Sequence, residues 1–198
     1  MSTIQIVLIR PGQTDFDDQR RITGQLDIPL NELGSGQVIR TVKEVAKLPI
    51  GQIYSSPSQP AVQTAEAVGA AMEVKVKQLD RLQNVDLGLW QGKLTEEVKA
   101  HQPKVYRRRQ EDPDSVCPPE GEMLADVRRR VRESLEKIMA RNKGDMIAVV
   151  VPEPLASVLR SELAGGELGD LWEAENVCGQ WEIIDVTEEN LLAGSQSS

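Results

Sequence analysis

Two short, almost uninterrupted apolar runs constrain the fold of this chain more than any other feature. The first is Ile4–Ile9, which is bounded by Pro11 and Gly12, and the second is Met146–Val151. Runs of this length that are rich in Val and Ile are typical of strands covered on both faces, as in a parallel sheet. Such a sheet needs helices on both faces, so the two runs predict an α/β fold.

Further strands and helices are predicted between and beyond these runs. The other predicted strands are Ile50–Tyr54, Val74–Val76, Val177 and Trp181–Val186, and helices are predicted at about 32–48, 57–72, 95–101, 104–110, 124–138 and 155–163. Because strands alternate with helices, we expect a doubly wound sheet whose ligand crevice lies beyond the carboxyl ends of the strands. We therefore expect the loops after Ile9 and Val151 to carry the functional residues.

Length and charge narrow the classes of function. With 198 residues the chain can bury one good core, and we expect a single domain at 1–190 with a flexible tail at 191–198. The net charge of −8 argues against nucleic-acid binding and against docking on anionic membranes. No signal peptide and no membrane span is visible. We therefore expect a cytoplasmic protein in which Cys117 and Cys178 are reduced thiols.

A set of motifs in a fixed order connects the chain to a known family. The segment Leu8-Ile-Arg-Pro-Gly-Gln-Thr14 is followed by Arg20–Gly34, Tyr54–Pro57, Gln63–Ala65, Leu87–Gly92 and Pro119–Glu122. Together these segments resemble the motifs of the histidine phosphatase (phosphoglycerate mutase-like) superfamily over most of residues 3–187. The resemblance implies a three-layer α/β/α sandwich with a mostly parallel sheet and a small helical lid at about 85–120.

The reaction that the resemblance implies is phosphoryl transfer through a phosphohistidine. A neutral histidine attacks phosphorus, two arginines and a second histidine hold the phosphoryl oxygens, and a carboxylic acid protonates the leaving group. In this sequence Pro11 occupies the position of the nucleophile, Pro60 that of the second arginine, Asn84 that of the acid and Pro152 that of the second histidine. Of the five groups only Arg10 is retained.

These replacements predict a degenerate site that has no catalytic residue. A proline has no side-chain lone pair that could attack phosphorus, and an amide cannot protonate a leaving group. Asp17 replaces a family asparagine and Glu153 a family glycine, so that with Arg10 the site has a formal charge of about −1. The candidate ligand-binding residues are Arg10, Gln13, Asp17, Thr23, Gly24 and Glu153.

Other phosphate chemistries have little support in the sequence. A cysteine phosphatase needs an arginine six positions after its cysteine, where this chain has Met123 and Ile184. The run Asp15–Asp18 is separated from the first strand by Pro11–Thr14, unlike the nucleophile of haloacid-dehalogenase-like phosphatases. The same carboxylates have the ligand type for Mg²⁺, although a polar loop that caps a turn is the simpler interpretation. With His101 as its single histidine, the chain is predicted to hold no metal and no cofactor.

Three functional hypotheses follow. The preferred one is a catalytically inactive family member, a pseudophosphatase, that binds an unknown small molecule or a protein partner. The alternative is a phosphomonoesterase or phosphoglycerate mutase-like enzyme with a non-histidine mechanism, in which Arg10 anchors an anion and Asp17 or Glu153 activates water. The third is a structural subunit that pairs with an active paralogue. Because family members often form dimers or tetramers, the resemblance also implies a homodimer, which the sequence alone does not indicate.

Overall fold

In the computed structural model, which describes residues 4–142, 144–166, 168–172 and 177–186, a five-stranded sheet forms the centre of the molecule. Its strands are β1 (Ile4–Ile9), β2 (Ile50–Ser55), β3 (Val76–Gln78), β4 (Met146–Val150) and β5 (Trp181–Val186). They lie in the order β3-β2-β4-β1-β5, and all neighbours are parallel except β1 and β5. The prediction of a mostly parallel sheet is confirmed.

Helices connect the strands and flank the sheet. In the described ranges they are α1 (Asp15–Asp18), α2 (Glu32–Val45), α3 (Gln59–Met72), α4 (Thr95–His101), α5 (Pro103–Glu111), α6 (Leu124–Arg141) and α7 (Leu155–Ala164). Helices α4 and α5 lie in the segment for which the resemblance implies a lid, and that role stays a prediction. None of the helices in these ranges is both long enough and apolar enough to cross a membrane.

Side chains that alternate along the strands divide the core into two layers. On β1, Ile6 and Leu8 belong to one layer, whereas Val7 and Ile9 belong to the other. The first layer includes the apolar faces of α6 and α7, and the second those of α2 and α3. The central strands are therefore covered on both faces, which is why their sequences are continuous apolar runs. The predicted three-layer α/β/α sandwich is confirmed.

The third strand begins two residues later than the sequence predicted. The prediction was Val74–Val76, and the strand is Val76–Gln78. Val74 instead belongs to the turn after α3, where its N–H donates to the carbonyl of Gly69 at 3.0 Å. The predicted segment Val74-Lys75-Val76 thus contains a turn residue, which its composition alone does not reveal.

Val177 was predicted as a strand residue, and this prediction is wrong. The chain turns before β5, and the N–H of Gly179 in this turn donates to the carbonyl of Pro11 at 2.8 Å. Gly179 has a φ of +72°, which favours glycine. The turn therefore holds the segment before β5 against the loop that follows β1. The predicted tail at 191–198 lies outside the described residues.

A close backbone contact fixes the loop after β1 against α2. A Cβ atom at Gly34 would lie 2.0 Å from the carbonyl oxygen of Gln13, a backbone atom that cannot rotate away. We expect Gly34→Ala to lower the free energy of unfolding by about 2 kcal/mol, measured by urea denaturation. Gly36→Ala, on the same helix with open space at its Cβ position, is the control and should raise that free energy by up to about 1 kcal/mol. Equal effects of the two substitutions would contradict the contact.

Candidate functional site

A small crevice lies beyond the carboxyl ends of β1 and β4. Its volume is about 40 Å³. The residues that line it are Arg10, Pro11, Gly12, Thr14, Asp17, Thr23, Pro60, Pro152, Glu153, Val177 and Cys178. The structure thus brings together most of the positions singled out in the sequence. Gln13, Gly24 and Asn84 are not part of this lining.

Three prolines occupy the crevice positions where the resemblance implies a nucleophile, an arginine and a second histidine. Pro11 lies in the loop after β1, Pro152 in the loop after β4, and Pro60 in the first turn of α3, where proline is tolerated. Their side chains have no ionisable group and no hydrogen-bonding atom. They therefore supply neither a nucleophile nor positive charge to the crevice.

The guanidinium group of Arg10 is held by two carboxylates of the same chain. Its Nε donates to Oε1 of Glu153 at 2.8 Å, and its Nη1 donates to Oε1 of Glu182 at 3.1 Å. The side chains of Arg10 and Glu153 are only 11% and 6% exposed. Burial lowers the pKa of Arg10, but Glu153 and Glu182 raise it by more, so the pKa lies above its ordinary value. Arg10 is therefore a permanent cation whose charge is already compensated.

Both carboxylates are in turn fixed by further contacts. The second oxygen of Glu153 accepts a hydrogen bond from the backbone N–H of Ser157 at 3.1 Å, near the N-terminus of α7. The second oxygen of Glu182 accepts from Nε of Arg160 at 3.0 Å. The sequence analysis missed Glu182, because only the pairing of β5 with β1, which sets Glu182 opposite Leu8, brings it to Arg10.

Asp17 caps the first turn of α1. Its Oδ2 accepts hydrogen bonds from the backbone N–H of Thr14 at 2.6 Å and from the Thr14 hydroxyl at 2.7 Å. Burial raises the pKa of Asp17, and hydrogen bonds from Thr14 and from the thiol of Cys178 offset only part of that effect. Cys178 was also missed, because no motif connects it to Asp17. Within the described ranges, no group of three or more histidine, cysteine or carboxylate side chains could hold a metal ion.

The raised pKa of Asp17 predicts a pH dependence of stability. A carboxyl group with a raised pKa binds its proton more tightly in the folded state than in the unfolded state. The fold therefore loses stability as the pH rises from the pKa of the unfolded state, about 3.9, through the higher pKa of the folded state. We expect Asp17→Asn to remove this loss, so its stability relative to wild type should increase as the pH rises through that window. Urea denaturation at a series of pH values measures this. The exposed Asp18→Asn is the control, and equal pH profiles for the two variants would contradict the prediction.

Asn84 lies outside the crevice and ties three segments together. It is fully buried. Its Nδ2 donates to the carbonyl oxygens of Gly24 and Glu153, each at 2.8 Å. Its Oδ1 accepts from the backbone N–H groups of Val85 at 2.9 Å and Leu155 at 3.3 Å. The two donors and both acceptor positions of the amide are thus used, so this position holds a structural amide.

The remaining predicted ligand contacts have different surroundings. The hydroxyl oxygen of Thr23 is buried beside the crevice and has no hydrogen-bond partner among the described residues. Gly24 has a φ of +53°, and a Cβ atom there would lie 2.2 Å from Oε1 of Gln91. Gln13 accepts a hydrogen bond on its side chain from Asn31 at 3.4 Å. Ligand contact by these three residues stays a prediction.

The sequence matches known proteins over most of its length. A family model described as the histidine phosphatase superfamily (branch 1) matches residues 6–193. Phosphoserine phosphatase 1 of Hydrogenobacter thermophilus is 31% identical over 185 residues, which cover 93% of this chain and 88% of that protein. A bifunctional protein of Mycobacterium tuberculosis is 35% identical over 164 residues, or 82% of this chain, but this chain spans only 45% of its length.

The fold also matches solved structures. A mycobacterial glucosyl-3-phosphoglycerate phosphatase in complex with VO3 superposes with a TM-score of 0.83 at 25% identity, covering 94% of this chain and 93% of that one. The Bacillus stearothermophilus protein YhfR superposes with a TM-score of 0.83 at 28% identity, covering 93% of this chain and 92% of that one. Family model, relatives and fold agree, and this chain belongs to branch 1 of the histidine phosphatase superfamily.

Proposed function

We propose that this protein is a catalytically inactive histidine phosphatase, a pseudophosphatase, with a non-catalytic binding or regulatory role. The observation that carries the proposal is the ion pair between Arg10 and Glu153, whose Nε and Oε1 atoms are 2.8 Å apart. A phosphoryl group that approached Nε of Arg10 would have to displace this buried carboxylate. The family site is thus occupied by an anionic side chain of the protein itself.

The charge of the site supports the proposal. Arg10 is accompanied by three carboxylates, those of Asp17, Glu153 and Glu182. Arg160, which pairs with Glu182, adds a second positive charge, but the carboxylates still outnumber the arginines. A phosphate monoester would add further negative charge to a site that is already negative. The family reaction instead needs preorganised positive charge, and the loss of one such donor costs about 100–1000-fold in rate.

The size of the crevice supports the same conclusion. Its volume of about 40 Å³ is only a few times the roughly 10–15 Å³ of cavity space that holds one water molecule. A phosphoryl group with its oxygens needs more room, so its entry would require the surrounding loops to move. Pro11 and Pro152 restrict the backbone of both loops, which opposes such a movement.

A hydrolysis assay tests the proposal. Wild type and Arg10→Gln would be compared on an aryl phosphate and on a panel of sugar and glycerate phosphates, at millimolar substrate and high enzyme concentration. Phosphoserine phosphatase 1 of Hydrogenobacter thermophilus, assayed on phosphoserine, is the positive control. We expect no turnover by wild type above the level of Arg10→Gln. Turnover that depends on Arg10 would overturn the proposal.

A second candidate function is a phosphomonoesterase with a non-histidine mechanism. Two observations favour it. The carboxyl group of Asp17, which has a pKa raised by burial, lines the same crevice as Arg10. In addition, a relative of this chain is named a phosphatase. In this mechanism Arg10 anchors the anion, and Asp17 or Glu153 activates a water molecule. Loss of turnover in Asp17→Asn distinguishes this function from the preferred one, in which there is no turnover to lose. Circular dichroism would check that the variant is folded.

A further inference from the structure

A second cavity lies between the β2–β3 side of the sheet and α6. Its volume is about 260 Å³, and it shares no lining residue with the crevice. The residues that matter for its chemistry are Tyr54, Leu79, Arg81, Lys137, Ile138 and Arg141. Since a cavity of about 150 Å³ holds benzene, this one has room for an aromatic ring and a charged group.

The phenol group of Tyr54 provides a buried hydrogen-bond donor to this cavity. Tyr54 is 2% exposed. Its hydroxyl oxygen lies 2.8 Å from Nδ2 of Asn142, and the same nitrogen lies 2.6 Å from the carbonyl oxygen of Ile138. Because a carbonyl can only accept, the Asn142 atom that faces Ile138 must be the amide nitrogen. That nitrogen also donates to the Tyr54 oxygen, so Tyr54 keeps its own proton to donate. Among the described residues that proton has no acceptor.

The opening of the cavity carries an excess of positive charge. Lys137 and Arg141 are exposed neighbours on one face of α6, and within the described part of the chain neither takes part in an ion pair or hydrogen bond. Arg81 lies at the same opening and pairs with Glu133, and Asp80 is the one carboxylate among the described residues that line the cavity. Cations therefore outnumber carboxylates locally on a protein whose net charge is −8. The two unpaired cations repel each other, and an anion would relieve that repulsion.

We propose that this cavity binds a small organic anion with an apolar body the size of one ring and a single carboxylate, phosphate or sulfonate group. The body packs against Leu79, Ile138 and the ring of Tyr54. The anionic group accepts the hydrogen bond from the Tyr54 hydroxyl and lies near Lys137 and Arg141. The carboxyl end of α6 disfavours an anion, but Asn142 already caps its Ile138 carbonyl. The site does not depend on whether the crevice is catalytic.

Benzenesulfonate is the probe for a first test, because it combines a ring with an anion and no phosphatase can hydrolyse it. We expect millimolar benzenesulfonate to shift the amide NMR signals of residues that line the cavity, such as Leu79 and Ile138. Benzenesulfonamide, which has nearly the same shape but no charge, and inorganic sulfate, which has no ring, should each bind at least tenfold more weakly. Equal affinity for the three compounds, no shifts, or shifts confined to the crevice would overturn the proposal.

Variants assign the binding to named groups. Tyr54→Phe, in which Asn142 keeps its bond to Ile138, should weaken benzenesulfonate binding about tenfold. The exposed double variant Lys137→Gln/Arg141→Gln should also weaken it about tenfold at low salt, and less at high salt. Lys104→Gln/Arg107→Gln on α5 makes the same change in charge at exposed positions elsewhere and should leave the affinity unchanged. Equal weakening by both double variants would mean that only the overall charge matters, which would contradict the site.

Discussion

Asn84→Ala should lower the free energy of unfolding by about 4 kcal/mol, out of the roughly 5–15 kcal/mol that a typical domain has. The variant loses four hydrogen bonds at a fully buried position. It leaves the carbonyls of Gly24 and Glu153 and the N–H groups of Val85 and Leu155 without these partners, and such losses cost more than the bonds contribute. Urea denaturation followed by circular dichroism measures the difference.

Asn84→Asp separates the donor from the acceptor role of this side chain. The introduced carboxylate still accepts from Val85 and Leu155, but it sets a negative oxygen against two carbonyl oxygens. Protonation restores a donor, so the fold raises the pKa of the introduced carboxyl, and the variant should lose stability relative to wild type as the pH rises through that pKa. The resemblance implies an acid at this position, and we expect an acid there to destabilise this chain above that pKa.

A neighbouring residue serves as the control for Asn84. Gln83 is half-buried, and in the described structure its side chain makes no hydrogen bond. Gln83→Ala should therefore change the free energy of unfolding by less than about 1 kcal/mol. A loss in Asn84→Ala as small as that of Gln83→Ala would contradict the structural role of the amide.

The central strands could be predicted from the sequence because burial on both faces leaves a continuous apolar run. The strand β1 has its predicted bounds, and β4 ends at Val150, one residue earlier than predicted. At the β3 edge of the sheet, where burial is incomplete, the signal weakens. The edge strand β3 has only half-buried and exposed residues, and its predicted position was shifted. Burial on both faces is not required for a correct prediction, however, because the other edge strand, β5, is also only partly buried and has its predicted bounds.

The candidate site was predictable only in part. The order of the motifs identified Arg10 and the three prolines, because the loops that carry them directly follow strands or begin a helix. It did not identify Glu182, which is 172 residues away from Arg10 in sequence and reaches it through the antiparallel pairing of β5 with β1. Nor could a motif show that Asn84 has no free hydrogen-bonding position. Both facts depend on contacts between distant segments, which local patterns do not specify.

Glu153→Ala should give the crevice an affinity for inorganic phosphate at least tenfold above that of wild type. The substitution removes the partner that lies 2.8 Å from Nε of Arg10, enlarges the crevice and makes its charge less negative. A hydrogen bond to a charged group contributes about 1.5–3 kcal/mol, which corresponds to roughly 10–100-fold in affinity. Phosphate titration followed by the amide NMR signals of residues in the crevice, such as Gly12, measures the gain.

Glu162→Ala is the matched control for this prediction. Its carboxylate is also 6% exposed and pairs with Arg128 and Arg132, away from the crevice, so the variant has the same change in net charge. We expect it to bind phosphate no better than wild type. If wild type bound phosphate as well as Glu153→Ala does, the Arg10–Glu153 pair would not exclude anions, and the main support for a pseudophosphatase would be lost. We also expect Glu153→Ala to bind phosphate without hydrolysing esters, because Pro11 offers no nucleophile. In the function we propose, the carboxylate blocks phosphate binding, and the proline at position 11 accounts for the absence of hydrolysis.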